Sequence, residues 1–141
     1  VGYDNALGYL RGGIPAWLVA GHEVDTIETI NLKTFARHFQ EQPALNVLDV
    51  RKPSEWEAEH LENSQNFPLD FINAHMHEIQ REQSYHLHCR SGYRSTVAAS
   101  ILKARGFQEL VNVQANFDDF SNADLPLTAF VCPSTLTKAD Q

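Results

Sequence analysis

Cys89-Arg90-Ser91-Gly92-Tyr93-Arg94-Ser95 places a thiol, two guanidinium groups and two hydroxyls within one short stretch. A cysteine acts as a nucleophile through its thiolate. Neighbouring cations or a helix N-terminus bring its pKa from about 8.5 down to roughly 3.5–7.5. The chemistry such a cluster supports is covalent catalysis by a thiolate nucleophile. Arg90 and Arg94 offer forked donors to an oxyanionic substrate. Gly92 lets the main chain fold close around the sulfur. The bland alternative is that Cys89 is a small buried apolar residue, as most free cysteines are; its flanking arginines, glycine and serine weigh against that.

Two elements must hold this loop. Ser84 to Leu87 is short and β-compatible and reads as a buried strand. From Ser95 to Arg105, the positions Val97, Ala98, Ile101, Leu102 and Ala104 follow helical spacing. A loop between strand and helix collects unpaired N–H groups at the helix start, which favour an anion together with the helix dipole.

The stretch from Cys89 to Ser95 resembles the active-site loop of the rhodanese (sulfurtransferase) family, Cys-Arg-x-Gly-x-Arg-Ser/Thr. The resemblance implies a persulfide on Cys89, with loop amides cradling its outer sulfur and Arg90, Ser91, Gly92, Tyr93, Arg94 and Ser95 forming the substrate-binding loop. Cysteine-dependent phosphatases place five residues between Cys and Arg. Here four separate Cys89 from Arg94, a smaller ring that resembles the sulfur-handling members.

The chain has 141 residues, 43% of them apolar, enough for one ordinary domain and core. Its formal net charge of −7 gives nucleic-acid binding no general support, and no run is long or apolar enough to span a bilayer. Against that acidic background the loop arginines are expected to form a local positive island. A cytoplasmic location is expected, where a disulfide between the two cysteines, Cys89 and Cys132, is disfavoured. The seven histidines are dispersed; His86 and His88 share one strand face, without the further ligands a metal would need. Neither a metal nor another cofactor is expected.

In chain order, Asp25 to Ile30 reads as a first strand and Asn31 as the N-cap of an amphipathic helix from Leu32 to Phe39. Leu45 to Val50 reads as a central strand ending in Asp49-Val50-Arg51. The C-terminal strand ends of an open α/β sheet face the ligand crevice, so Asp49 and Arg51 should lie near Cys89. They match the family's Asp-x-Arg, and a structural ion pair is favoured over chemistry. Pro53 to His60 is a short helix. Glu55-Trp56 with His60-Leu61 and Asn66-Phe67-Pro68-Leu69 resembles a second family signature, with Glu59 and Ser64 replacing its usual glycine and alanine; Trp56 and His60 read as packing residues. Phe67 is expected in a short buried strand. Asp70 should cap a helix to Gln80 with Phe71, Ile72, Met76 and Ile79 inward. Phe107 to Val113 reads as the last strand, with Val111 and Val113 inward, and Asn116 to Asn122 as a last short helix. Leu127 to Cys132 forms a strand or lies over the core. Alternation of strands and helices gives an α/β fold with a parallel, doubly wound sheet. The resemblance adds a rhodanese-like, five-stranded sheet with helices on both faces.

Residues 1–24 stand apart. Ala6 to Leu10 is strand-like, and Ile14 to Ala20 is a helix with Pro15 in its first turn and Gly21 closing it. Gly2-Tyr3-Asp4-Asn5-Ala6-Leu7 lines up with Gly106-Phe107-Gln108-Glu109-Leu110-Val111, and Ala16-Trp17 with Asp119-Phe120. Leu10 to Gly21 resembles the closing segment of a rhodanese domain. The expected organisation is therefore 1–24 as the tail of a truncated upstream rhodanese-like domain, 25–133 as a rhodanese domain and 134–141 as a flexible tail. An unrelated N-terminal hairpin or helix is the alternative.

The expected function is sulfurtransfer from thiosulfate or a low-molecular-weight persulfide to a thiol or cyanide acceptor. Tandem arrangement after a metallo-β-lactamase-fold domain would resemble persulfide dioxygenases, with the upstream domain of the same chain as partner. The alternatives are a sulfur-carrier or regulatory docking module and, disfavoured by loop spacing, a cysteine phosphatase or arsenate reductase.

Overall fold

This computed structural model describes residues 5–132. Five strands form one parallel sheet: β1 (Glu28–Asn31), β2 (Val47–Asp49), β3 (Ser64–Asn66), β4 (Tyr85–His88) and β5 (Leu110–Gln114), in the order β1-β5-β4-β2-β3. The α-helices are α1 (Gly13–Val19), α2 (Leu32–Glu41), α3 (Pro53–Ala58), α4 (Ile72–His75) and α5 (Tyr93–Ala104). A 3-10 helix, Phe117–Ala123, follows β5.

Alternate residues of each strand feed opposite faces. Leu48, Leu87 and Leu110 pack with Ala98, Ala99 and Leu102 of α5 and with Ile72 and Ile79. Val47 and Val113 pack on the other side with Phe35 and Ala36 of α2 and with Phe117 and Phe120. The sheet thus has helices on both faces, as expected. β4 is central and buried along its length, so the residue that follows it leaves from the middle of the sheet's C-terminal edge.

Local signals behave as their chemistry dictates at several points. Asn31 caps α2 through its side chain, which accepts from the Thr34 N–H at 2.9 Å. Gly21, just beyond α1, has φ +81°, the left-handed geometry that ends a helix and suits glycine. Trp56 and His60 stack with centroids 3.6 Å apart, and His60 Nδ1 lies 2.6 Å from the Trp56 carbonyl oxygen.

Other expectations are corrected. The helix from Asp70 to Gln80 is broken into a 3-10 turn Leu69–Phe71, α4 and a second 3-10 turn Met76–Glu78; Asp70 makes no capping bond. Asn73, His75 and His77 are weak helix formers, and a helix this short is marginal without a continuous buried stripe. Phe71 points outward at 57% exposure, whereas Ile72 and Ile79 are buried. The strand expected at Phe67 precedes it, at Ser64–Asn66, and Phe67 is fully buried just beyond. Val113 is buried but Val111 only partly so. Ala6 to Leu10 forms no strand because no neighbouring strand completes its hydrogen bonds. Leu127 makes one antiparallel bridge to Leu61, and the chain after it lies over Ala58 and His60, with the Val131 N–H on the Ala58 carbonyl at 2.7 Å. Cys132 is the last described residue, so the tail expected at 134–141 lies outside the described residues.

Candidate active site

β4 delivers Cys89 to the sheet edge, and α5 begins four residues later at Tyr93, two earlier than expected from the apolar spacing. The connection is closed by Gly92, whose φ of +94° and ψ of −16° turn the chain into the helix. That turn aims the Gly92 N–H at Cys89 Sγ, 3.1 Å away. The main-chain N–H groups of Ser91, Gly92 and Ser95, with the Ser95 hydroxyl, bring the thiol below its usual pKa, although burial acts in the opposite direction. The Ser95 hydroxyl also lies 3.0 Å from the Gly92 carbonyl oxygen; its single proton serves one acceptor at a time. The sulfur therefore sits in a small anion cradle of amides and a hydroxyl.

Cys89 is only 1% exposed. The thiol is thus recessed beneath its loop rather than open to solvent. Tyr93, in contrast, projects from the loop at 78% exposure.

The positive island also needs correction, because each arginine meets a carboxylate. Arg94 forms a forked pair with Glu55, at 2.6 and 3.0 Å. Arg90 pairs with Asp118 at 2.8 Å on the surface. Arg51 and Asp49, both buried, form a forked pair through Arg51 Nε at 2.9 Å and Nη2 at 2.6 Å, and Nη2 also donates to the Glu59 carbonyl oxygen at 2.8 Å. Two arginines thereby hold elements in place: Arg94 ties α5 to α3, and Arg51 rests 3.7 Å over the Phe117 ring. Glu55 is held below the ordinary carboxylate range chiefly by its Arg94 hydrogen bonds.

Further positioning residues come from outside the motif. Gln114, at the end of β5, donates from Nε2 to the Ser91 carbonyl oxygen at 3.1 Å. The Phe117 N–H donates to the Arg90 carbonyl oxygen at 2.9 Å. Gln114, Phe117 and Asp118 carry no site signal in the sequence beyond the place of Gln114 at a strand's C-terminal end, and Glu55 is marked there only as part of the second signature, not as the partner of Arg94. His86 and His88 do share a strand face, but it is an interior one. His88 stacks on Phe117 at 5.8 Å, and His86 Nε2 lies 3.1 Å from His38 Nδ1. Among the described residues no group of three His, Cys, Asp or Glu side chains is placed to hold a metal, and no helix is long and apolar enough to cross a membrane.

A thiolate-favouring cradle at the C-terminal edge of a parallel sheet can attack a sulfane sulfur and then stabilise the resulting persulfide anion. Comparison with known proteins places the chain in a family. The family described as Rhodanese-like domain matches residues 31–123. YrkF of Bacillus subtilis, named provisionally as a sulfur carrier protein, is 28% identical over 102 residues, 72% of this chain and 55% of YrkF. Thiosulfate sulfurtransferase GlpE of Vibrio cholerae is 27% identical over 94 residues, 67% of this chain and 89% of GlpE. The chain thus spans about half the length of YrkF and most of GlpE. The crystal structure of a rhodanese-like domain protein from Staphylococcus aureus superposes with a TM-score of 0.64 at 21% identity, covering 73% of this chain and 100% of that one.

Proposed function

The chain belongs to the rhodanese-like domain family, and from that membership we propose that it is a sulfurtransferase working through a persulfide on Cys89. The observation that carries this reading is the Gly92 N–H aimed at Cys89 Sγ, within a cradle that lowers the thiol's pKa. The thiolate attacks the outer sulfur of thiosulfate or of a low-molecular-weight persulfide, forming an Sγ–S bond. The donor's S–S bond breaks with its electrons leaving on sulfite or a thiolate. A thiol or cyanide acceptor then removes the sulfur. Amides of Ser91, Gly92 and Ser95 steady the anion in both steps. Arg90 and Arg94 assist donor binding from within their ion pairs, Tyr93 shapes the rim, and Asp49 and Arg51 brace the wall. A reduced, cytoplasmic setting suits a free catalytic thiol.

The 1% exposure of Cys89 favours one second reading, a sulfur carrier loaded and unloaded by partners with little turnover of its own. Incubation with thiosulfate or glutathione persulfide, followed by mass measurement and thiocyanate formation with cyanide, separates the two. A sulfurtransferase gains the mass of one sulfur and turns over, and Cys89→Ala does neither. Loading without turnover identifies the carrier; no adduct in the wild type refutes both.

We also propose that residues 1–24 close an upstream rhodanese-like domain, in a chain of the metallo-β-lactamase-fold fusion type. Two observations support this. No residue of α1 is buried, and Leu7, Ile14, Leu18 and Val19 are exposed. Trp17, at 39% exposure, aligns with Phe120, which is fully buried against Phe35 and His88 in this domain.

A further inference from the structure

A cavity of about 330 Å³ lies beside the thiol loop, with Arg51, Arg90, Glu55, Glu59 and Asp118 in its lining. Two of its walls belong to or hold that loop: Arg90 directly follows Cys89, and Glu55 pairs with Arg94. Arg51 is matched by Asp49, Arg90 by Asp118 and Arg94 by Glu55. The carboxylate of Glu59 has no ion-pair partner among the described residues, so it leaves the mouth with a surplus negative charge. Phe117 and Phe130 supply apolar wall. Glu59 stands where the resembling signature has glycine, which brings no charge.

We propose that this mouth selects persulfides of small aminothiols, whose ammonium group meets Glu59, over anionic donors, and that Glu59 is the specificity-determining residue. The proposal rests on sulfur transfer at Cys89. A thiosulfate dianion approaches arginines that are already neutralised and a carboxylate that repels it. An aminoalkyl persulfide brings a cation for Glu59 and a short carbon chain for Phe117 and Phe130. Clefts walled by low-dielectric groups focus such fields on the approaching solute. In the step itself the Cys89 thiolate forms a bond to the outer sulfur of R–S–SH. The S–S bond of the donor breaks, its electron pair stays on the R–S sulfur, and the proton of the perthiol passes to that sulfur. The products are the Cys89 persulfide anion and R–SH, with charge and atoms conserved and no oxidant required.

The test follows loading of Cys89 by mass spectrometry with three donors: cysteamine persulfide, 3-mercaptopropionate persulfide and thiosulfate. Each second-order rate constant is divided by that of the same donor with free N-acetylcysteine, which removes differences in leaving group. The wild type should favour cysteamine persulfide over the two anionic donors by about tenfold at low salt. That ratio should shrink as salt screens the surface charges. Glu59→Gln should bring the ratio close to one, and Glu59→Lys should invert it. Equal normalised rates in the wild type, or a ratio that survives Glu59→Gln, overturn the proposal and leave sulfur transfer at Cys89 standing. Absence of loading by every donor overturns both.

Discussion

Gly92→Ala tests the cradle directly. A Cβ at this position would collide with the Gln114 side-chain amide, and the φ of +94° is one that side-chain-bearing residues rarely adopt. The left-handed backbone costs an L-residue about 1–2 kcal/mol. Displacing Gln114 breaks its bond to the Ser91 carbonyl, worth about 1 kcal/mol. The expected loss is therefore about 2–3 kcal/mol, read as a lower urea midpoint at constant m-value. If the loop relaxes to escape this strain, it swings the Gly92 N–H away from Cys89 Sγ. The thiol pKa then rises, by about one unit for about 1.4 kcal/mol of lost interaction. Linkage gives the pH dependence. The lowered folded pKa of Cys89 stabilises the fold above the thiol's unfolded pKa, and that stability is lost as pH falls through the folded value. The variant should narrow that window. Thiolate ultraviolet absorbance, titrated in a Cys132→Ser background, reports the shift. Adding Gln114→Ala to Gly92→Ala should cost little more, because the collision has already displaced the amide. A variant with an unchanged urea midpoint and a superimposable thiol titration would refute the account of the loop.

Two other perturbations probe the frame. Asp49→Asn leaves the Arg51 charge buried and uncompensated, so it should lower the urea-derived stability by about 3–5 kcal/mol; Asp49→Asn combined with Arg51→Met should cost less than the single change. His86 has its pKa lowered to about 4, by burial first and by His38 second. The folded state thus refuses a proton that the unfolded chain accepts near 6.5, and stability should fall as pH drops from about 6.5 to 4, by about 2 kcal/mol after discounting for partial solvation. His86→Gln should flatten that part of a pH–stability curve, and an unchanged curve would contradict the assignment.

The site was legible where its chemistry is local. The cysteine, its arginines, the glycine that needs a positive φ and the helix after it are contiguous, so one stretch states both the geometry and the reactivity. Asn31 was legible for the same reason, as its cap reaches three residues. The counter-charges were not. Glu55 lies 39 residues from Arg94 and Asp118 lies 28 from Arg90, and nothing in either neighbourhood marks the pairing. The motif therefore looked cationic when the folded site is balanced. Strands β4 and β5 could be read from their apolar runs. The segment from Leu69 to Glu78 could not, because its apolar spacing fits a helix while its weak helix formers and sparse burial let the backbone tighten into 3-10 turns.

The strand order β1-β5-β4-β2-β3 has a consequence for synthesis. β1, made first, has no place in the sheet until β5 arrives beside β4. Gln114 and Phe117, which clasp the Ser91 and Arg90 carbonyls, also leave the ribosome after the cysteine they serve. At about 5–20 residues per second the nascent chain carries an unclasped thiol for seconds. Sulfur competence then arrives all at once, when the late strand slots between two early ones.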